Sequence, residues 1–126
     1  DKNFSFYNFI EGAKEAFKLI VEAFNNKKVE EIKHLISREV YDNFKKATNV
    51  KDNNYETFFI SSVKASILNI EVVKNYAYIK VKFLSSQKVT LNKKTKNLEK
   101  IKDIWTFEKD MTTKSFVWKL VEVGTD

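Results

Sequence analysis

At Thr57 the hydrophobic pattern of this chain changes period, and that change limits the folds open to it. Before Thr57, apolar residues recur at spacings of three and four, as on one face of a helix; after it, they alternate every second residue, as on one face of a strand. The order is helices first and strands second, with no alternating strand–helix–strand units, no internal repeat and no interior linker. That order predicts an α+β domain, three helices packed on one face of a curved antiparallel sheet of roughly four strands. The chain of 126 residues is one domain with room for a single core.

In the first half, Phe6, Phe9, Ile10, Ala13, Phe17, Ile20 and Phe24 fall on one stripe, with Glu11, Lys14, Glu15, Lys18 and Glu22 on the other side. This is an amphipathic helix of about four turns. It follows an extended lead-in over residues 1–7, is capped by Ser5 or Asn8, and ends at Asn25-Asn26. Residues 28–36 read as a short helix carrying Val29, Ile32, Leu35 and Ile36 inward. Ser37 can cap a third, in which Val40, Tyr41, Phe44 and Ala47 share a face, and residues 49–54 read as a loop.

In the second half, Phe59 to Val73 reads as one long or bulged strand and Lys74-Asn75 as a tight turn. Ala77, Ile79, Val81 and Phe83 alternate with Tyr78, Lys80 and Lys82, a half-buried strand. The Lys- and Asn-rich stretch from Gln87 to Lys100 reads as a loop or an exposed hairpin tip. Ile101, Trp105 and Phe107, interleaved with Asp103 and Lys109, mark a third strand with a bulky aromatic face. Val117 to Val123 marks a fourth, joined to it through the polar segment Met111 to Phe116.

Composition removes several functions. There is no Cys, which excludes disulfides and thiolate chemistry. No apolar run reaches the roughly 18 residues that span a bilayer, and no signal segment opens the chain. The chain begins at Asp1 without Met, so it is expected to be part of a longer protein, with any targeting or membrane segment upstream. His34, between Lys33 and Leu35, has no evident triad partner, and no metal-ligand spacing or phosphate-cradling glycine loop occurs. Gly12 lies inside the first helix, where it marks either a close approach of a ligand to the backbone or, the favoured reading, a tight helix–sheet contact. By alternation Asp103 shares the Trp105–Phe107 face, while Glu108 and Asp110 point the other way. A buried Asp103 could transfer protons; a salt bridge to a nearby Lys is the plainer reading.

Charge is placed unevenly. Residues 1–63 hold ten basic and ten acidic residues, so the second half supplies the whole net charge of +6. Lys88, Lys93, Lys94, Lys96, Lys100 and Lys102 make either a solvated Lys-rich loop, the plainer reading, or a basic surface suited to anionic lipid, a ribosome or an acidic partner. No aromatic interleaves with them, and Arg38 is the one arginine of the chain, so sequence-specific nucleic-acid reading is not expected. Phe4, Phe6 and Tyr7 are the apolar residues best placed to meet a membrane or partner.

Taken together, three segments resemble a known family. They are Phe9-Ile10-Glu11-Gly12-Ala13-Lys14 with Ala16-Phe17, then Leu35-Ile36-Ser37-Arg38-Glu39-Val40-Tyr41, then Ile104-Trp105-Thr106-Phe107-Glu108-Lys109-Asp110 with Trp118-Lys119-Leu120. In this order they are similar to the C-terminal domain family of the forty-four-kilodalton subunit of the mitochondrial inner-membrane translocase, which has alphaproteobacterial homologues. The resemblance implies a cone-shaped fold related to nuclear transport factor two, with an apolar pocket expected to be lined by Phe17, Phe44, Phe83, Trp105, Phe107 and Trp118. It also implies a non-enzymatic tether without cofactor or metal, peripheral to the inner (cytoplasmic) membrane or anchored through an upstream segment. Partners implied are an anionic phospholipid surface and a translocase, chaperone or ribosome; a small-molecule-binding or isomerase-like use of the pocket is the rival. The stretch from Lys88 to Lys102 lacks the family's usual glycines, and the segment before Trp118 lacks its usual proline–asparagine turn.

Overall fold

In the computed structural model, which describes residues 4–50 and 55–125, the expected α+β architecture is present. Helix α1 (Phe6–Asn25), a 3-10 helix (Val29–Leu35) and helix α2 (Arg38–Val50) precede strands β1 (Thr57–Val73), β2 (Tyr76–Leu91), β3 (Lys94–Asp110) and β4 (Lys119–Gly124). The strands form one antiparallel meander in the order β1-β2-β3-β4.

Ser5 is the cap of α1. Its backbone is extended and its Oγ accepts the Asn8 N–H at 3.2 Å, which satisfies a helix donor that otherwise has no partner. The lead-in is therefore shorter than residues 1–7, and its first three residues lie outside the described ones. The helix runs for 20 residues, longer than the four turns expected. It stops where Lys27 takes a left-handed φ of 58° and the Lys28 N–H donates to the Ala23 carbonyl at 2.7 Å. Its buried face is Phe9, Ala13, Phe17, Ile20 and Ala23. Phe6, expected on that face, is 55% exposed instead, in the first turn of the helix.

The core is an aromatic layer between α1 and the sheet. Phe17 stacks on Phe83 with centroids 4.4 Å apart and leans on Trp105 at 4.7 Å. Burying one such side chain contributes about 1.5–3 kcal/mol, with about 0.5–1.5 kcal/mol more for a well-placed ring pair. Polar links fix the same layer: a Glu22 carboxylate oxygen accepts the Ile60 N–H at 2.9 Å, tying α1 to β1.

The segment between the 3-10 helix and α2 extends the sheet. Ile36 bridges Leu120 in parallel, and the Ser37 N–H donates to the Leu120 carbonyl at 2.9 Å, so the β4 edge is covered. The Ser37 Oγ then accepts the Val40 N–H at 3.2 Å and starts α2. Tyr41 donates its hydroxyl to Glu30, Lys45 lies 3.4 Å from the same carboxylate, and Lys33 sits over the Tyr41 ring. The Tyr41 bond is the main reason the Glu30 carboxyl is held below its ordinary range and the Tyr41 phenol above its own.

Three element assignments differ from those the sequence predicts. The stretch from Gln87 to Lys100 is not a loop: β2 and β3 continue through it as a hairpin, turning at Asn92 and Lys93, both at positive φ (53° and 64°). That is the pair of signs a two-residue type I′ turn needs, here without glycine. Val89 and Gln87 are buried on one face while Lys88 is exposed on the other, so a strand pattern is present beneath the lysines. The fourth strand begins at Lys119 rather than Val117, and the first at Thr57 rather than Phe59. The first strand is bulged, as expected, with register shifts after Ile60 and after Ile67.

Candidate functional site

Beyond the aromatic layer, toward the β1–β2 turn, the inner face of the sheet is no longer covered. The side chains that α1 presents there are small: Gly12, Ala13 and Ala16 stand over Ala77 and Ile79 of β2. A groove of about 790 Å³ results, within the range of small-ligand pockets. Its floor is Ile70, Ala77, Ile79 and Phe107, and Leu35 closes one side. Phe9 and Trp118 form the inner wall, their rings 5.1 Å apart and nearly perpendicular. The mouth is made by Phe4 and Phe6, whose rings meet edge to face at 4.9 Å, and by Met111, Phe116 and Val117 from the segment before β4.

Gly12 explains part of this space. A Cβ added there would meet nothing within 4 Å, so the tight helix–sheet contact expected at this glycine is not made. The missing side chain leaves the groove open.

Polar groups in the groove are few. Ser5 commits its Oγ to the helix cap, Asn8 lies beside it, and among the described residues Lys109 brings the one charged side chain. Among the described residues no carboxylate, histidine or thiol lines it. The groove has room for apolar matter and a positive side chain at its lining; among the described residues no pair of its groups is arranged for proton transfer.

The six aromatics expected to line a pocket do not line one together. Phe107 and Trp118 face the groove. Phe17, Phe83 and Trp105 fill the core beside it, because α1 brings the Phe17 ring down onto the other two. Phe44 lies on α2 and packs against Phe24 at 5.0 Å. Of the three N-terminal residues, Phe4 and Phe6 rim the groove, while Tyr7, 72% exposed, stands outside its lining. The groove also uses Ile70, Met111, Phe116 and Val117, which the sequence reading left out. Their signal was an apolar residue in a place with no core to fill: Phe116-Val117 in a polar connection, and Ile70 after the β1 bulge.

Register separates the six lysines of the basic surface. Lys88 pairs with Asn97 and Lys102 with Leu84, on the outer face of the sheet. Lys94 and Lys96 pair with Leu91 and Val89, on the inner side. Lys93 is in the turn, and Lys100, at φ 56°, occupies a bulge of β3. Asp103 is half-buried opposite Phe83, away from the groove lining. Burial alone pushes its carboxyl above the ordinary range, and among the described residues no ion pair joins it to a lysine. Asp110 goes the other way: the Thr112 hydroxyl and N–H both donate to its Oδ1, at 2.6 and 2.9 Å, and hold it below the ordinary range. His34 is exposed. Among the described residues no cluster of His, Asp or Glu could hold a metal ion, and no helix is long and apolar enough to cross a membrane.

Three helices over an antiparallel meander, with an apolar groove where the helix cover gives way to small residues, define a helix-on-sheet cone open at one end. The chain belongs to the Tim44-like domain family, whose model matches residues 1–125. It is 31% identical over 116 residues to an uncharacterized protein of Rickettsia prowazekii (strain Madrid E). That match covers 91% of this chain and 50% of the relative, so the chain spans about half the relative's length. The family is related to the import-motor anchor and is membrane-associated in general.

Proposed function

We propose that this domain is a non-enzymatic, membrane-peripheral tether that docks on an anionic bilayer through the mouth of its groove. The observation that carries this reading is the clustering of exposed apolar side chains around one opening. Phe6 is 55% exposed, Phe116 76%, Val117 48% and Met111 44%, and all of them border the groove. Exposed aromatic and aliphatic residues gathered at one cleft mark an interaction site, whereas scattered ones do not. Lys109 in the lining and Lys114 in the adjoining segment add the positive charge that anionic head groups attract. Membership of the import-motor-anchor family supports the same role. The bilayer meant is the inner (cytoplasmic) membrane, and the tethered partner would be a translocase, chaperone or ribosome.

Flotation with cardiolipin-containing liposomes tests this on the domain and on the full gene product. Binding should weaken as salt is raised, because exposed charges are screened. Phe6→Ser with Phe116→Asp should reduce the bound fraction about tenfold or more, the scale expected from losing two aromatic contacts and placing a charge in the interface. No flotation at low salt would remove the lipid reading. Cosedimentation with ribosomes, if unaffected by the two substitutions, would favour ribosome docking in its place.

A further inference from the structure

The outer face of the sheet has a second organised surface, which the groove does not use. In an antiparallel sheet, residues opposite each other in register share a face. Lys64, Leu84 and Lys102 therefore form one row across β1, β2 and β3, and Ser66, Lys82 and Ile104 the next. Phe59 and Lys88 lie in a further row toward the hairpin tip. These rows point away from the helices, since Val81 and Phe83, the alternate residues of β2, are buried beneath them. Lys82 lies diagonal to both Lys64 and Lys102, a separation of about 7–8 Å in such a ladder. Among the described residues none of these lysines is ion-paired, and Lys88 sits over the Phe59 ring at 5.9 Å.

Acids on the same face are gathered at the other end. Glu71, Tyr78, Glu108 and Lys119 make one row there, and Glu122 is in register with Lys80 through Thr106 at the boundary. Glu99, at the β3 bulge, is the acid nearest the lysines in sequence register. Exposed apolar groups stand inside the basic half: Leu84 is 37% exposed between Lys64 and Lys102, and Phe59 is 44% exposed beside Lys88.

We propose that the outer face of the sheet, where Lys64, Lys82, Lys88 and Lys102 surround Leu84 and Phe59, docks an acidic, amphipathic protein segment. Its carboxylates would answer the lysines, and its apolar side chains would seat on Leu84 and Phe59. A nucleic acid fits less well, since the patch holds no arginine and one aromatic, where single strands need a series of stacking platforms. A bilayer fits less well too, because these rows face away from the groove side. The patch and the groove can then be occupied at the same time, which is what joining two partners requires. The preference over a bilayer rests on the groove reading proposed above; the charge and apolar match to an acidic segment does not.

The test is fluorescence anisotropy with a labelled synthetic helical peptide bearing Glu throughout and Leu at every third or fourth position. Comparison ligands are a leucine-free Glu peptide, an oligouridylate and phosphatidylglycerol vesicles. The leucine-bearing peptide should bind best and lose affinity with salt. Lys64→Glu with Lys82→Glu and Lys102→Glu should cost about tenfold or more through like-charge repulsion. Leu84→Ser, which leaves every charge in place, should cost about three- to tenfold. Gly12→Leu, at the groove, should leave the affinity for the peptide unchanged, and cooperative thermal melts would show that the variants fold. Amide shifts on peptide addition should fall on Lys64, Lys82, Leu84 and Lys102. Three results would overturn the proposal: equal affinity after charge reversal, shifts confined to the groove, or tighter lysine-dependent binding of the oligouridylate or the vesicles. None of these bears on flotation through Phe6 and Phe116, so the two readings fail separately.

Discussion

The inner face of the sheet is equally apolar at its centre and at its β1–β2 end, yet only the centre is closed. Along β2, Val81 and Phe83 continue the same alternation as Ala77 and Ile79, and all four are buried in the same sense. The difference lies in the helix above. At the centre α1 supplies Phe17 and Ile20, which fill the space; toward its N-terminus it supplies Gly12, Ala13 and, just before Phe17, Ala16, which do not. A groove in this fold is therefore set by what the helix withholds. Farther along β2, Val89 still belongs to the core, and beyond it the hairpin tip is held by its own ladder and by the Lys93 N–H, which donates to Glu56 at 2.8 Å.

The closed centre and the open end differ most at Phe17. Its side chain is fully buried against Phe83 and Trp105, so Phe17→Ala leaves a cavity and should destabilise the domain by about 3–5 kcal/mol. Urea unfolding with constant slope would measure it. Phe116→Ser, at the mouth of the groove, should change stability by no more than about 0.5 kcal/mol, as surface substitutions usually do. If the two substitutions cost the same, the distinction between closed core and open groove is wrong.

Gly12→Leu sharpens the same boundary from the other side. The added side chain enters empty space, and Leu is favoured over Gly in a helix interior by about 0.8 kcal/mol. Stability should rise by that order while fluorescence of an apolar dye bound in the groove falls. A loss of stability would mean that the helix sits closer to the sheet than it does here.

Much of this arrangement was legible in the chain. The change of period at Thr57 reports a backbone property, so the three helices, the four strands and the bulge in β1 could be read without knowing any contact. The closed state of Phe17, Phe83 and Trp105 could not. Periodicity assigns a face to each residue but not a height along the helix, and that height decides whether an aromatic fills the core or borders a groove. The stretch from Gln87 to Lys100 misled for a chemical reason: lysines and asparagines signal loops on average, while Val89, Leu91 and Leu98 kept a strand period that the charge obscured. The lysines likewise formed one basic run in sequence, and only register showed that they divide between two faces.

The hairpin tip offers a smaller test. Lys93 holds φ 64° without being glycine, a conformation that costs a side-chain-bearing residue about 1 kcal/mol. Lys93→Gly keeps the N–H that donates to Glu56 and relieves that cost, so it should stabilise the domain by up to about 1 kcal/mol. Hydrogen exchange should slow at Val89 and Lys96, the pair two residues from the turn on each strand, if the tip is part of the ordered sheet.

Asp103 gives the smallest expected effect and the finest probe of where the core ends. It faces the helices in register with Phe83, and burial without a cationic partner raises its carboxyl above the ordinary range. A raised carboxyl means that the folded chain holds this proton to a higher pH than the unfolded chain does. Its contribution therefore favours folding below the unfolded value of about 3.9, and is lost as pH rises through the folded value. At neutral pH the ionised group is a half-desolvated charge. Asp103→Asn should then raise the melting temperature slightly at pH 7, with the gain shrinking to nothing as the pH falls below the unfolded carboxyl range. A gain independent of pH would instead assign the effect to packing at the junction of core and hairpin, and a loss at pH 7 would require a cationic partner for Asp103 in solution.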